Sequence, residues 1–200
     1  TFSEFISVNG LPDKPIIALL AGSRKQELKF VLPTMLKMIE HFPEYQFVIA
    51  GAPSMTDEDY APYLQGRQIR ILYGMTYRLV SQATAALVTS GTATLETALL
   101  RTPQVVCYNG EAARLSYFLF KTVVKVKFIS LVNLIFDGEV VKELMMQHFN
   151  ERTLVEELSR IVYSERYREK MLRNYDEVIC RMGEPGASGR FARMMVEALR

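Results

Sequence analysis

Ile16-Ile17-Ala18-Leu19-Leu20-Ala21-Gly22-Ser23-Arg24 is the stretch that decides the fold class. An unbroken apolar run from Ile16 to Ala21, with no polar alternation, describes a strand covered on both faces, as in a parallel sheet. Gly22-Ser23-Arg24 breaks the run, and a helical pattern follows from about Gln26 to His41. The same unit then recurs. Tyr45–Ala50 reads as a second strand closed by Gly51-Ala52-Pro53, and Thr56-Asp57-Glu58-Asp59 gives an acidic helix start. Ile69–Tyr73, Ala85–Thr89 and Gln104–Cys107 read as further strands, with helices over Thr76–Ala83 and Thr92–Leu100 between them. Alternation of this kind predicts an α/β fold: a Rossmann-like parallel sheet with right-handed crossovers and helices on both faces.

Beyond Tyr108 the pattern changes. Glu111–Val124 reads as an amphipathic helix, Phe128–Phe136 as an irregular apolar segment, and the rest as a helical C-terminal tail with breaks at Asn150, Ser164 and Gly183–Gly189. The start of the chain, Thr1–Lys14, shows no clear periodicity and ends in the turn-like Gly10–Pro15. It reads as a domain that follows a linker, so the sequence is expected to be a fragment with part of an active site outside it. Residues 1–200 are then one domain, a size that carries a substantial core.

Composition removes several classes. With 49% hydrophobic and 23% charged residues the chain is ordinary for a globular protein, and a net charge of +2 gives no case for nucleic acid. No apolar run approaches the roughly 18 residues of a membrane span. Two cysteines, Cys107 and Cys180, lack metal-ligand spacing and read as reduced thiols, while His41 and His148 stand alone, so no metal site is expected. Neither GxxxxGK[ST] nor GxGxxG is present, which argues against a P-loop NTPase and an ordinary NAD or FAD oxidoreductase.

In an open parallel sheet, ligands bind beyond the carboxyl ends of the strands. Gly22, Ser23 and Arg24 combine a backbone that allows close approach, a hydroxyl and a planar cationic fork suited to phosphate. A plain strand-to-helix turn with a solvated arginine would look the same. Ser90, Gly91 and Thr92 open a helix directly after a strand, where free N–H groups and the helix dipole favour an anion. Ser90 as a simple cap is the alternative. Glu96, four residues beyond Thr92, is placed to accept hydrogen bonds from ribose hydroxyls, or simply to complement the dipole.

Taken together, these loops resemble the lipid-A-disaccharide synthase family. The matching segments are Leu20–Arg24 with Glu27, Leu87–Glu96, Pro103–Tyr108, Ser130-Leu131-Val132-Asn133-Leu134, and Val141–Leu144 with Gln147. Their order and spacing cover most of residues 16–147. Ala21 and Val132 depart from the resemblance, since the family usually has proline at both.

The resemblance implies the C-terminal, donor-binding half of a GT-B glycosyltransferase, with the acceptor domain outside this chain. The implied reaction transfers 2,3-diacylglucosamine from UDP-2,3-diacylglucosamine to 2,3-diacylglucosamine-1-phosphate (lipid X), releasing UDP. It is an inverting transfer with no cofactor and no metal, and its general base is expected in the other half. Arg24 and the Ser90–Thr92 helix start would hold the diphosphate, the backbone at Tyr73-Gly74-Met75 would flank the uracil, and Glu96 would hold the ribose. Asn133 and Gln147 are candidates for the sugar and its substituents, although Asn133 would equally suit a loop closed through backbone bonds. The resemblance further implies a cytoplasmic enzyme peripheral on the inner membrane, with homodimer contacts through C-terminal elements. The mixed apolar and basic segment Arg114–Lys127 is the candidate for membrane or acyl-chain contact, or else a core-facing helix with a solvated basic side. Alternatives are an undecaprenyl-linked N-acetylglucosaminyltransferase, a UDP-N-acetylglucosamine 2-epimerase, or a UDP-binding module without catalysis.

Overall fold

A computed structural model describes residues 1–89, 91–109 and 127–183. Its centre is a six-stranded, all-parallel sheet. The strands are β1 (Ile16–Leu20), β2 (Gln46–Gly51), β3 (Arg70–Tyr73), β4 (Ala83–Thr89), β5 (Gln104–Tyr108) and β6 (Lys142–Met145), in the order β3-β2-β1-β4-β5-β6. Both halves wind outward from the β1–β4 pair. The connections diverge there and leave a crevice at the carboxyl ends of those two strands.

The apolar run of β1 is sorted by strand period. Ile17 and Leu19 face a core shared with α2 (Lys25–His41), through Leu28, Val31, Leu32 and Met35. Ile16, Ala18 and Leu20 face the opposite core, formed with α1 (Phe2–Val8) and α4 (Thr76–Gln82) through Phe5, Ile6, Leu79 and Val80. A strand buried on both faces needs apolar residues at every position, which is why the sequence shows a run and no alternation. Between these helices lie α3 (Asp57–Leu64), after β2, and α5 (Thr92–Leu99), after β4.

Three segments differ from their sequence expectation. Residues 2–8 form α1, held by a capping box in which Thr1 and Glu4 satisfy each other's backbone N–H groups. Leu131–Phe136 is not irregular but a short helix, α6, capped by the Ser130 hydroxyl. Lys142–Met145, read as part of a helical tail, is the edge strand β6, paired with β5 from Val105↔Lys142 to Tyr108↔Met145. At four residues β6 is too short for a periodicity signal, and pairing with β5 decides its conformation. The breaks expected at Asn150 and Ser164 are real. Asn150 caps α7 (Glu151–Tyr163), while Ser164 ends α7 and caps α8 (Glu165–Met182). The helix expected over Glu111–Val124 and the basic segment Arg114–Lys127 lie outside the described residues, apart from Lys127. Among the described residues no helix is long and apolar enough to cross a membrane.

Candidate functional site

At the carboxyl ends of β1, β2 and β4 is a cleft of about 520 Å³. One wall is the loop after β1, with Gly22, Ser23 and Arg24; the other is the start of α5, with Gly91, Thr92 and Glu96. Two groups picked out separately along the sequence thus face one space, and β1–β4 pairing is what joins them.

The first wall is organised by Glu27. Its Oε2 accepts the backbone N–H groups of Ser23 (2.8 Å) and Arg24 (3.2 Å), and its Oε1 lies 3.5 Å from Arg24 Nη1. Gly22 takes a φ of +100°, and a Cβ there would run into the Glu27 side chain. Glycine is therefore required twice over, for backbone conformation and for space. Glu27 thus occupies the Ser23 and Arg24 N–H groups, and the side chains of these two residues line the cleft where a phosphate would be met. The Ser23 hydroxyl has no partner among the described residues, and the Arg24 side chain is 81% exposed. Lys25 is drawn the other way, to Asp59 at 2.7 Å, whose carboxyl this hydrogen bond holds below the usual carboxylate range. Arg24 is thus the one cation lining the cleft among the described residues.

The second wall is a helix start. Gly91 has a φ of +151°, available to glycine alone at low cost, and nothing lies within 4 Å of where a Cβ would be. Among the described residues the N–H groups of Thr92 and Ala93 have no acceptor, as expected in the first turn of a helix. With the helix dipole they present partial positive charge to the cleft. Glu96 lines the same wall, half-buried and with no hydrogen-bond or ion-pair partner among the described residues. A free carboxylate one turn behind an anion-attracting helix start suits hydroxyls, not phosphate. Ser90 lies outside the described residues.

Met75, Asn133 and Gln147 are not among the residues that line this cleft. Met75 packs against the α1/α4 core and borders a separate cavity of about 230 Å³ with Phe5 and Arg78; its neighbour Thr76 lines the cleft. The side chain of Asn133 takes the loop-closing arrangement, the second of the two readings open for it. It is fully buried, donating to Val141 O (2.9 Å) and Glu143 Oε1 (2.9 Å) and accepting from Val140 N (2.8 Å) and Val141 N (3.0 Å). All four of its hydrogen-bonding capacities are used, so none remains for a sugar. Glu143 completes this node by accepting from the backbone N–H groups of Ile129 and Ser130 and from the Ser130 hydroxyl. Gln147 is exposed in the 3₁₀ turn after β6, separated from β4 by β5, and does not line the cleft.

Four lining residues escaped sequence reading. Ala52 and Pro53 after β2 line the cleft because β2 pairs with β1, and Ser54 ties that loop to the first wall through a bond to Ser23 O (3.0 Å). Thr76 enters from α4, and Thr89 forms part of the lining at the end of β4. No composition signal marks these residues; strand order does. Among the described residues no group of His, Cys, Asp and Glu is placed to hold a metal ion. Cys107, buried in β5, has its thiol pushed up by burial, and Cys180 is exposed; both are free.

A parallel sheet in this order, with its cleft at the β1–β4 divergence, is the Rossmann-like α/β fold found in GT-B glycosyltransferases. The calicheamicin glycosyltransferase CalG4 aligns with 96% of this chain and 46% of its own, at a TM-score of 0.60 and 13% identity. The C-terminal CMP-Kdo binding domain of WaaA from Acinetobacter baumannii aligns over 89% of this chain and 95% of its own, at 0.53 and 12% identity. Within that class, the chain belongs to the lipid-A-disaccharide synthase family: the model of lipid-A-disaccharide synthetase matches residues 6–187. The lipid-A-disaccharide synthase of Anaeromyxobacter dehalogenans (strain 2CP-C) is 34% identical over 100% of this chain and 54% of its own length. That of Myxococcus xanthus (strain DK1622) is 33% identical over 94% of this chain and 50% of its own. The chain spans about half the length of these curated relatives.

Proposed function

We propose that this chain is the donor-binding half of a lipid-A-disaccharide synthase. The full enzyme transfers 2,3-diacylglucosamine from UDP-2,3-diacylglucosamine to lipid X and releases UDP. The observation that carries this reading is the cleft itself. Among the described residues, an arginine free of strong pairing faces a helix start with unpaired N–H groups, and an unpartnered Glu96 stands one turn along. That arrangement matches a nucleoside diphosphate, with phosphates between Arg24 and α5 and the ribose toward Glu96.

Negative charge grows on the diphosphate as the glycosidic bond breaks. A guanidinium and helix N–H groups already aimed at that position stabilise the transition state more than the ground state. The general base and the acceptor site belong to the other half of the enzyme. Peripheral membrane contact and self-association through C-terminal elements are part of the same proposal, and both rest on the family resemblance.

Calorimetric titration of the chain with UDP, ADP and NAD tests the reading. UDP should bind and the other two should bind more weakly or not at all. Preference for ADP or NAD would sink it.

A further inference from the structure

We propose that Thr89 is a diphosphate-binding residue, its hydroxyl donating a hydrogen bond to a phosphate oxygen of the nucleotide. This rests on the donor-site reading above and adds a contact to it. Thr89 is the last residue of β4, paired in register with Cys107 on β5, and it lines the cleft between the β1 loop and the α5 start. It is only 5% exposed, yet its Oγ1 has no hydrogen-bond partner among the described residues.

The other buried threonines show what this fold normally does with such a group. Thr94 donates to Gly91 O at 2.8 Å, Thr97 to Ala93 O at 2.7 Å and Thr102 to Val80 O at 2.7 Å. Thr89 is the exception among the buried threonines described. Two glutamine oxygens, Gln46 Oε1 and Gln104 Oε1, are also unpaired, but each belongs to an amide whose nitrogen is bonded, and neither residue lines this cleft. A buried hydroxyl with nothing to bond weakens the fold, and valine has nearly the same shape without that cost. The position therefore makes physical sense if its partner arrives with the ligand.

Place and chemistry identify that partner. Thr89 lies three residues before Thr92, the first residue of the helix start that attracts an anion, on the same cleft as Arg24. The ribose side of the cleft is marked by Glu96, further along α5. A hydroxyl at the strand end can give its proton to a phosphate oxygen between Arg24 and the Thr92 and Ala93 N–H groups, and the anion needs every such donor.

The experiment compares the unaltered chain with Thr89→Val and Thr89→Ser, titrated with UDP and uridine and melted without ligand. Thr89→Val should weaken UDP on the order of tenfold, leave uridine unchanged, and melt no lower than the parent. Thr89→Ser, which keeps the hydroxyl, should retain most of the UDP affinity. Unchanged UDP affinity in Thr89→Val, or equal loss for UDP and uridine, overturns the assignment to phosphate. A clear fall in melting temperature of the ligand-free valine variant overturns it too, because the hydroxyl would then be structural. If the unaltered chain fails to bind UDP, the donor-site reading falls and this contact falls with it. If the chain binds UDP and the valine variant binds it equally well, only the Thr89 assignment is lost.

Discussion

Replacing Arg24 by alanine separates ligand binding from folding, because the structure predicts opposite magnitudes for the two. Among the described residues its one close charged contact is Glu27, with Nη1 to Oε1 at 3.5 Å and the arginine side chain 81% exposed. An exposed pair at that distance is worth a few tenths of a kcal/mol, up to about 0.5. Glu27 does not depend on it, since its other oxygen is held by the Ser23 and Arg24 backbone N–H groups, which alanine retains. Unfolding free energy in urea should therefore change by no more than about 0.5 kcal/mol. Toward UDP the same guanidinium meets a charged oxygen across the cleft, and losing such a bond costs about 1.5–3 kcal/mol. At about 1.4 kcal/mol per decade, that is a fall in affinity of roughly 10- to 150-fold. Titration calorimetry with UDP and with uridine reads it, and uridine, lacking phosphate, should be indifferent. Arg24→Lys should recover little of the loss, since a point charge does not replace the planar fork. If Arg24→Ala unfolds the chain, or weakens uridine as much as UDP, the residue is structural and the phosphate reading of this loop is wrong.

Three further outcomes follow from particular contacts. Glu96→Gln should weaken UDP binding yet leave free pyrophosphate nearly unchanged, and equal loss for both would mean that Glu96 shapes the α5 start. Asn133→Ala removes four hydrogen bonds from a fully buried node and should cost about 3 kcal/mol in urea unfolding; intact stability with lost UDP affinity would return Asn133 to the binding site. Glu151 joins α7 to α2 through Lys37 and His41, each at 2.9 Å, and the Lys37 bond first, then His41, holds its carboxyl below the usual range. A carboxylate with a lowered folded pKa adds stability above the unfolded value of about 4.3, and that stability is lost as pH falls through the folded value. Stability curves of Glu151→Gln and the parent should therefore differ near neutral pH and converge as pH falls through the lowered folded value; a constant offset over the whole acid range would exclude the charge as the cause.

How far the sequence reached can be judged from individual residues. The apolar run of β1, the glycines at 22 and 91 and the caps at Asn150 and Ser164 are local signals. Burial on both faces, positive φ and helix ends each leave a mark within a few residues. They were enough for a parallel α/β fold and for two of the loops that face the cleft. Strand order is a different kind of fact. It arises from crossovers and sheet pairing between distant segments, so the parts played by Ala52, Pro53 and Thr76 became visible only once β2 lay beside β1. The strand identity of Lys142–Met145 likewise depended on β5 being present to pair with it. Hydrogen-bond satisfaction was equally out of reach. By residue type Asn133 suits a sugar or a closed loop alike, and only the positions of Val140, Val141 and Glu143 show its bonds made; the unpaired Thr89 hydroxyl likewise follows from burial and not from spacing. Residue type and spacing state what a side chain can do; tertiary structure decides whether its bonds are already made, because the competing partners come from elsewhere in the chain.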